Sequence, residues 1–286
     1  MRPIKSLVPK NTALRPLRRL LRDPSAVVGL MLIVAFIFLA LLSAFLGLDP
    51  LTTNVSNKLE PPSVKHLLGT DHLGRDNFVR LAHGARWSLG SAGLATLTVV
   101  AIGVTLGAIA GYAGGMLDTI IMRVVDVFMA FPGLLLALAI VGILGPGLEK
   151  ALLALIAIGW VDYARVVRGI VLGLREREFT LAARAIGASD TRIIFRHLLP
   201  NALPTVIVLA TLEIGQVILA FAGLGFLGLG AVPPTPEWGA MINEARSYLF
   251  NAPQQTLYPG AAILLAVLGF NLLGDGLRDA LDPKSS

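Results

Sequence analysis

Long apolar runs, separated by shorter stretches that gather the charge, set the pattern of this 286-residue chain. Six runs approach the roughly 20 apolar residues that a helix needs to cross a bilayer. They lie at about residues 25–48, within 87–117, within 127–148, and at about 151–174, 203–231 and 257–274. The first is uncharged between Asp23 and Asp49, the fourth is interrupted by Asp162, Arg165 and Arg168, and the fifth contains Glu213. The pattern predicts an all-α integral membrane protein with six transmembrane helices, one N-terminal helix and a five-helix core. Its segments are a basic tail (1–22), the first membrane helix (23–48), an outer segment (49–86), the core (87–278) and a tail (279–286). The outer segment, rich in Pro, Gly and polar residues, reads as a spacer between the first helix and the core.

One polar stretch between apolar runs is ordered rather than loose: REREFTLAARAIGASDTRIIFRHLLPNALP, residues 175–204. Phe179, Ala182, Ala183 and Ile186 recur at i, i+3, i+4 and i+7, the spacing of one apolar helical stripe. Gly187 follows the last apolar position, where a C′ glycine ends a helix. Ser189 or Asp190 caps a second short helix carrying Ile193, Ile194 and Phe195, and Pro200 and Pro204 close it. A helix-turn-helix knob between two membrane runs stands in water and is available to a soluble partner.

Composition narrows the class. The chain is 55% hydrophobic and 15% charged, with a mean hydropathy of +0.75, too apolar for an ordinary soluble domain. The net charge of +6 invites a nucleic-acid reading. The basic residues flank apolar runs, however, where membrane topology and lipid headgroups account for them. With the N-terminus inside, the inner segments hold 17 Lys/Arg and the outer segments 7. The positive-inside rule then places both termini and the 175–200 hairpin in the cytoplasm. Cysteine is absent, which excludes disulfides and thiolate chemistry.

The remaining motifs carry little catalysis. Gly223 to Gly230, GLGFLGLG, matches a dinucleotide-binding pattern in letters only, because that loop requires a strand before it; helix packing or a break in the fifth span explains it better. No G-x-x-x-x-G-K-[ST], H-E-x-x-H or G-x-S-x-G occurs, so neither catalysis nor a bound cofactor is expected. His66, His72 and His83 fit no compact ligand set and read as surface or packing residues, so no metal is expected. Asp126 with Arg123, and Asp162 with Arg165, read as pairs one helical turn apart, and Asp275, Arg278 and Asp279 as a self-paired helix end. Glu213 has only Gln216 as a polar companion one turn on, so a pathway-lining role and a structural role both stay open. Gly103, Gly107 and Gly111 leave a groove for a close helix, within the chain or at a subunit interface.

Residues 178–200 resemble the cytoplasmic loop of ABC importer permeases, with Ala182, Ala183, Gly187, Ile193 and Pro200 in register and Leu181 at the family's Glu position. Further matches narrow the resemblance to the shorter permease of the dipeptide, oligopeptide and nickel family. They include His66 to Asp71 with Gly74-Arg75-Asp76, Ala110-Gly111-Tyr112, Tyr163-Ala164-Arg165, Arg196-His197, Phe226 to Gly230, Pro233-Pro234 with Trp238-Gly239, and Asn271 to Asp279. The resemblance implies a bacterial inner-membrane subunit forming half of a heterodimeric pore for di- or oligopeptides or a related solute. It also implies a second permease, two cytoplasmic ATPases that use ATP and Mg, and an extracytoplasmic substrate-binding protein. Phe179, Ala182, Ala183, Ile186, Gly187, Ile193, Ile194 and Phe195 would then form the hairpin gripped by the ATPase. A stand-alone ion-coupled secondary transporter is the competing class; it would need midplane charges and internal repeats.

Overall fold

The computed structural model describes residues 15–281, and every regular element among them is a helix. After α1 (Arg15–Leu20), the Asp23 carboxylate accepts the N–H of Ser25 and caps α2 (Pro24–Phe45), which has proline at its first position. Val28, Met31, Val34, Phe38 and Leu41 are exposed around α2. A helix without a polar face needs lipid around it. Asp76 likewise caps α3 (Asn77–Ala113) by accepting the N–H of Val79. Next come α4 (Gly115–Met129), α5 (Gly133–Leu144) and α6 (Leu148–Arg175). The hairpin is α7 (Glu178–Ala185) and α8 (Asp190–Ile193), which runs through a wide turn into α9 (Leu199–Phe226). α10 (Trp238–Ala245) and α11 (Gln254–Leu281) are the last helices among the described residues.

Four of these helices, α2, α3, the stretch from α8 through α9, and α11, are long and apolar enough to cross a membrane. The expected six are therefore not all present as straight apolar spans. The third expected span meets a bend of 87° between α4 and α5, which together make a fifth candidate. Pro132 stands at that bend; it lacks an N–H and disfavours helix at Phe131 before it. The twelve residues of α5 extend only about 18 Å, too short to cross alone. α6 has 28 residues, ample for a crossing, but its charges break the apolar run. The second helix starts at Asn77, earlier than expected, and its 37 residues reach about 55 Å, well beyond the apolar layer. The fifth stops at Phe226, where Gly228 (φ +76°) turns the chain back and the N–H groups of Leu229 and Gly230 bond the Leu224 carbonyl.

Two clusters make the core. Around Trp238, Phe221, Ile218, Ala92 and Ala262, the helices α3, α9, α10 and α11 meet. Nearer the hairpin, Val167, Val171, Ile193, Leu198 and Val206 join α6 to the hairpin and α9. Small residues bring the axes together: a Cβ on Gly29 of α2 would stand 2.6 Å from the Gly269 carbonyl of α11.

The outer segment is not a spacer. Arg75 bonds Asp71 (2.6 Å) and Glu244 of α10 (2.5 Å), and Arg80 bonds the same Glu244 oxygen (3.0 Å). Asp71, Arg75 and Arg80 are buried and two charges of each sign balance, so the segment is locked onto α10. Gln255 of α11 donates to the Thr70 carbonyl (2.7 Å), and a Cβ on Gly74 (φ +75°) would overlap the Asn54 carbonyl. Glu237 caps α10 by accepting the N–H groups of Gly239 and Ala240 (both 2.9 Å) and the Ser88 hydroxyl (3.0 Å). Burial pushes its carboxyl above the usual range, and those three donors pull it back.

Candidate functional site

The hairpin has an inner and an outer side. Thr180 is buried and its hydroxyl donates to the Leu174 carbonyl (2.8 Å), tying α7 to the end of α6. Gly187 takes φ +80°, a conformation that costs a side chain about 1 kcal/mol or more. Its N–H bonds the Arg184 carbonyl (3.0 Å), and the Ala188 N–H bonds that of Ala183 (3.1 Å), closing α7. The Ser189 hydroxyl then accepts the Arg192 N–H and opens α8.

The expected docking stripe is therefore split. Ala183, Ile193 and Leu198 are buried against Val167 and Val171, and Ile194 is half-buried, so Ala183 and Ile193 anchor the hairpin. Phe179, Ala182, Ile186 and Phe195 are exposed, Ile186 at 86% and Phe195 at 68%. The periodicity is real, but a short hairpin packed on α6 needs part of its apolar side for itself. Leu181 is half exposed beside them.

Sequence reasoning missed the clamp that holds the hairpin. Tyr112, at the end of α3, donates its hydroxyl to Asp190, accepts Arg175 at its backbone carbonyl (3.1 Å), and lies under the Arg184 guanidinium (5.8 Å). Its place within an Ala-Gly-Tyr match was visible, but its partners stand 63 to 78 positions away. The hairpin is thus fastened to α3 as well as α6.

Gly103, Gly107 and Gly111 all face α6 of the same chain. Their Cβ atoms would stand 2.6, 2.5 and 2.8 Å from the carbonyls of Trp160, Ala164 and Arg168. The expected one-turn ion pairs are replaced by pairs between helices: Arg165 holds Asp126 of α4 (2.6 Å) rather than Asp162, and Arg168 grips Asp118 with two N–H groups. Asp162 is left at a cavity of about 280 Å³ lined also by Glu213, Gln216, Ala95, Leu134 and Ile158. Gly225 and Gly239 bring α9 and α10 together; a Cβ on Gly239 would meet the Ala222 carbonyl at 2.4 Å. The glycine-rich run is thus a helix-packing device.

His66 bonds Asp76 (2.8 Å), His72 stacks on Tyr248, and His83 lies 2.8 Å from the Leu48 carbonyl. Asp71, His72 and Glu244 approach within 4.8 Å of one another, but Arg75 and Arg80 already neutralise both carboxylates.

Residues 103–286 match the family described as binding-protein-dependent transport system inner membrane component. The chain belongs to that permease family. Residues 15–62 match the N-terminal membrane domain of oligopeptide transport permease C. A dipeptide transport permease of Alkalihalophilus pseudofirmus is 49% identical over 278 residues, covering 96% of this chain and 91% of that one. A nickel transport permease of Escherichia coli K12 is 46% identical over 255 residues (88% and 92%). A glutathione transport permease of Pectobacterium atrosepticum is 50% identical over 225 residues (79% and 75%). Among solved structures, the inward-facing MetNI methionine ABC transporter covers 71% of this chain and 96% of its own, with TM-score 0.55 and 23% identity, a likeness of fold. The permease is thus a membrane subunit of an ABC importer of the dipeptide, oligopeptide and nickel family.

Proposed function

We propose that this permease forms half of a heterodimeric passage for di- or oligopeptides, driven through its hairpin by two ATPase subunits that bind and hydrolyse MgATP. The observation that carries the coupling reading is the two-sided hairpin: exposed Phe179, Ile186 and Phe195 on a knob whose inner side is fastened by Ala183, Ile193 and Tyr112. An apolar tip fits a hydrophobic groove on a soluble partner. Because the knob is clamped to α3 and α6, moving the groove moves those helices together, and the passage alternates between two openings. A substrate-binding protein delivers the solute at the opposite face. The hairpin, the Arg-rich segments and both chain ends face the cytoplasm of a bacterial inner membrane. The peptide reading takes its support from the dipeptide permease, which is similar over nearly the whole chain.

Ile186→Asp and Phe195→Asp test the coupling role, since both alter exposed tips and leave the anchors intact. Membrane insertion should be unchanged, while ATPase subunits cease to copurify and solute uptake falls by about tenfold or more, the scale of a lost apolar hot spot. Normal uptake with full ATPase recovery in both variants overturns the role.

A further inference from the structure

We propose that Asp162, Glu213 and Gln216 form a midplane subsite for a cationic group of the solute, the free ammonium of a peptide-like molecule; this rests on the importer reading above. Asp162 and Glu213 each stand in the middle of a 28-residue helix, α6 and α9. Gln216 is one turn beyond Glu213 on the same side of α9; in this chain Asp162 and Gln216 are exposed and Glu213 is half-buried. They line the same cavity of about 280 Å³, whose other walls come from α3, α5, α6 and α9 and are apolar.

Among the described residues, neither carboxylate has a hydrogen-bond donor or a cationic partner, although neighbouring Arg165 and Arg168 are both engaged with α4. Tyr163, only 2% exposed, lies within electrostatic reach of both carboxylates, and its hydroxyl also has no partner. Unpaired acids in the middle of a membrane-crossing helix are expensive, of order 3 kcal/mol each, and such groups characteristically face a cavity and serve a passing charge. The acids act on each other as like charges, which a cation between them would relieve. An ammonium offers three donors, matching two carboxylates and an amide oxygen. The cavity contains no histidine, the ligand a transition metal would favour. Its apolar walls, including Ala95, Leu134 and Ile158, offer no directional contact to the rest of the solute, so the subsite would read the charge and tolerate varied side chains.

The test uses the complete importer in liposomes with its binding protein, comparing labelled dialanine, N-acetyl-dialanine and Ni²⁺. Glu213→Gln and Asp162→Asn should each lower dialanine uptake by about tenfold to a hundredfold, the weight of a charge-assisted hydrogen bond. Membrane yield and copurification of the ATPase subunits should match the unsubstituted complex, because the hairpin is untouched. Dialanine should also slow labelling of Glu213 by a membrane-permeant carbodiimide, and N-acetyl-dialanine should not. Equal uptake of free and acetylated peptide, unaltered uptake in both variants, or uptake of Ni²⁺ alone overturns the subsite while leaving the importer standing. An unsubstituted complex whose ATPase the loaded binding protein fails to stimulate overturns the importer reading, and the subsite with it.

Discussion

Single residues in this permease act mainly by what they allow backbones to do. Gly107 permits α3 to touch the α6 carbonyls, and a Cβ there would stand 2.5 Å from backbone oxygen, which cannot swing aside. Gly93 on the same helix has open space around its Cβ position. Gly107→Val should therefore cost about 1–3 kcal/mol and lower both the melting temperature and the membrane yield of the purified complex. Gly93→Ala should be neutral or slightly stabilising, helix propensity being its main effect. Equal thermal shifts for the two substitutions would contradict the close-approach account. The four-residue glycine spacing was legible from the chain alone, as a groove. Which helix fills that groove was not, because any helix with small residues opposite would satisfy the pattern.

At the scale of elements, the hairpin is decisive, and its attachment is as important as its tip. Removing one hydroxyl tests this: Tyr112→Phe keeps the ring beneath Arg184 and the Arg175 contact to the backbone, but deletes the bond to Asp190. The expected loss is about 1 kcal/mol of hairpin attachment. ATP hydrolysis should continue while the solute moved per ATP falls about two- to fivefold, read from paired uptake and phosphate-release measurements. A wild-type ratio would remove Tyr112 from the coupling path. Helix, cap and turn of the hairpin were readable locally, down to Gly187 and Ser189. The division of its apolar residues into anchors and tips was not, since periodicity names a stripe without saying how wide a neighbour will cover it. The bend at Pro132 was missed for a related reason: apolar runs on both sides of a break add up to one apparent span.

Across the whole molecule, a buried ionic lock at the end opposite the hairpin joins Asp71 and Arg75 of the outer segment, Arg80 of α3 and Glu244 of α10. Breaking one partner leaves an uncompensated buried charge, so Arg80→Met should cost about 3–5 kcal/mol and lower the accumulation of folded protein in the membrane. The double variant Arg80→Met with Glu244→Gln removes one charge of each sign and should recover a measurable part of that stability. No recovery in the double variant would show that packing of the Arg80 stem, rather than charge balance, holds this layer. The lock keeps the outer layer in register with α10 and α11, so that layer is part of the permease core.

Hydropathy and charge by themselves determined the class of molecule, the hairpin and its caps, because each of those depends on residues within a few positions of one another. The same local information made the family legible, through short runs kept in order along most of the chain. Tertiary structure alone decided which of the hairpin's apolar groups stay free and that Arg165 turns to Asp126. It also decided that the outer segment is packed, and that Asp162 and Glu213 meet at one cavity. Those facts include pairs 39 and 169 residues apart, and two helices with no sequence signal in common. Pairing at that range depends on how helix axes pack, and on the free energy of burying or matching a charge once they have.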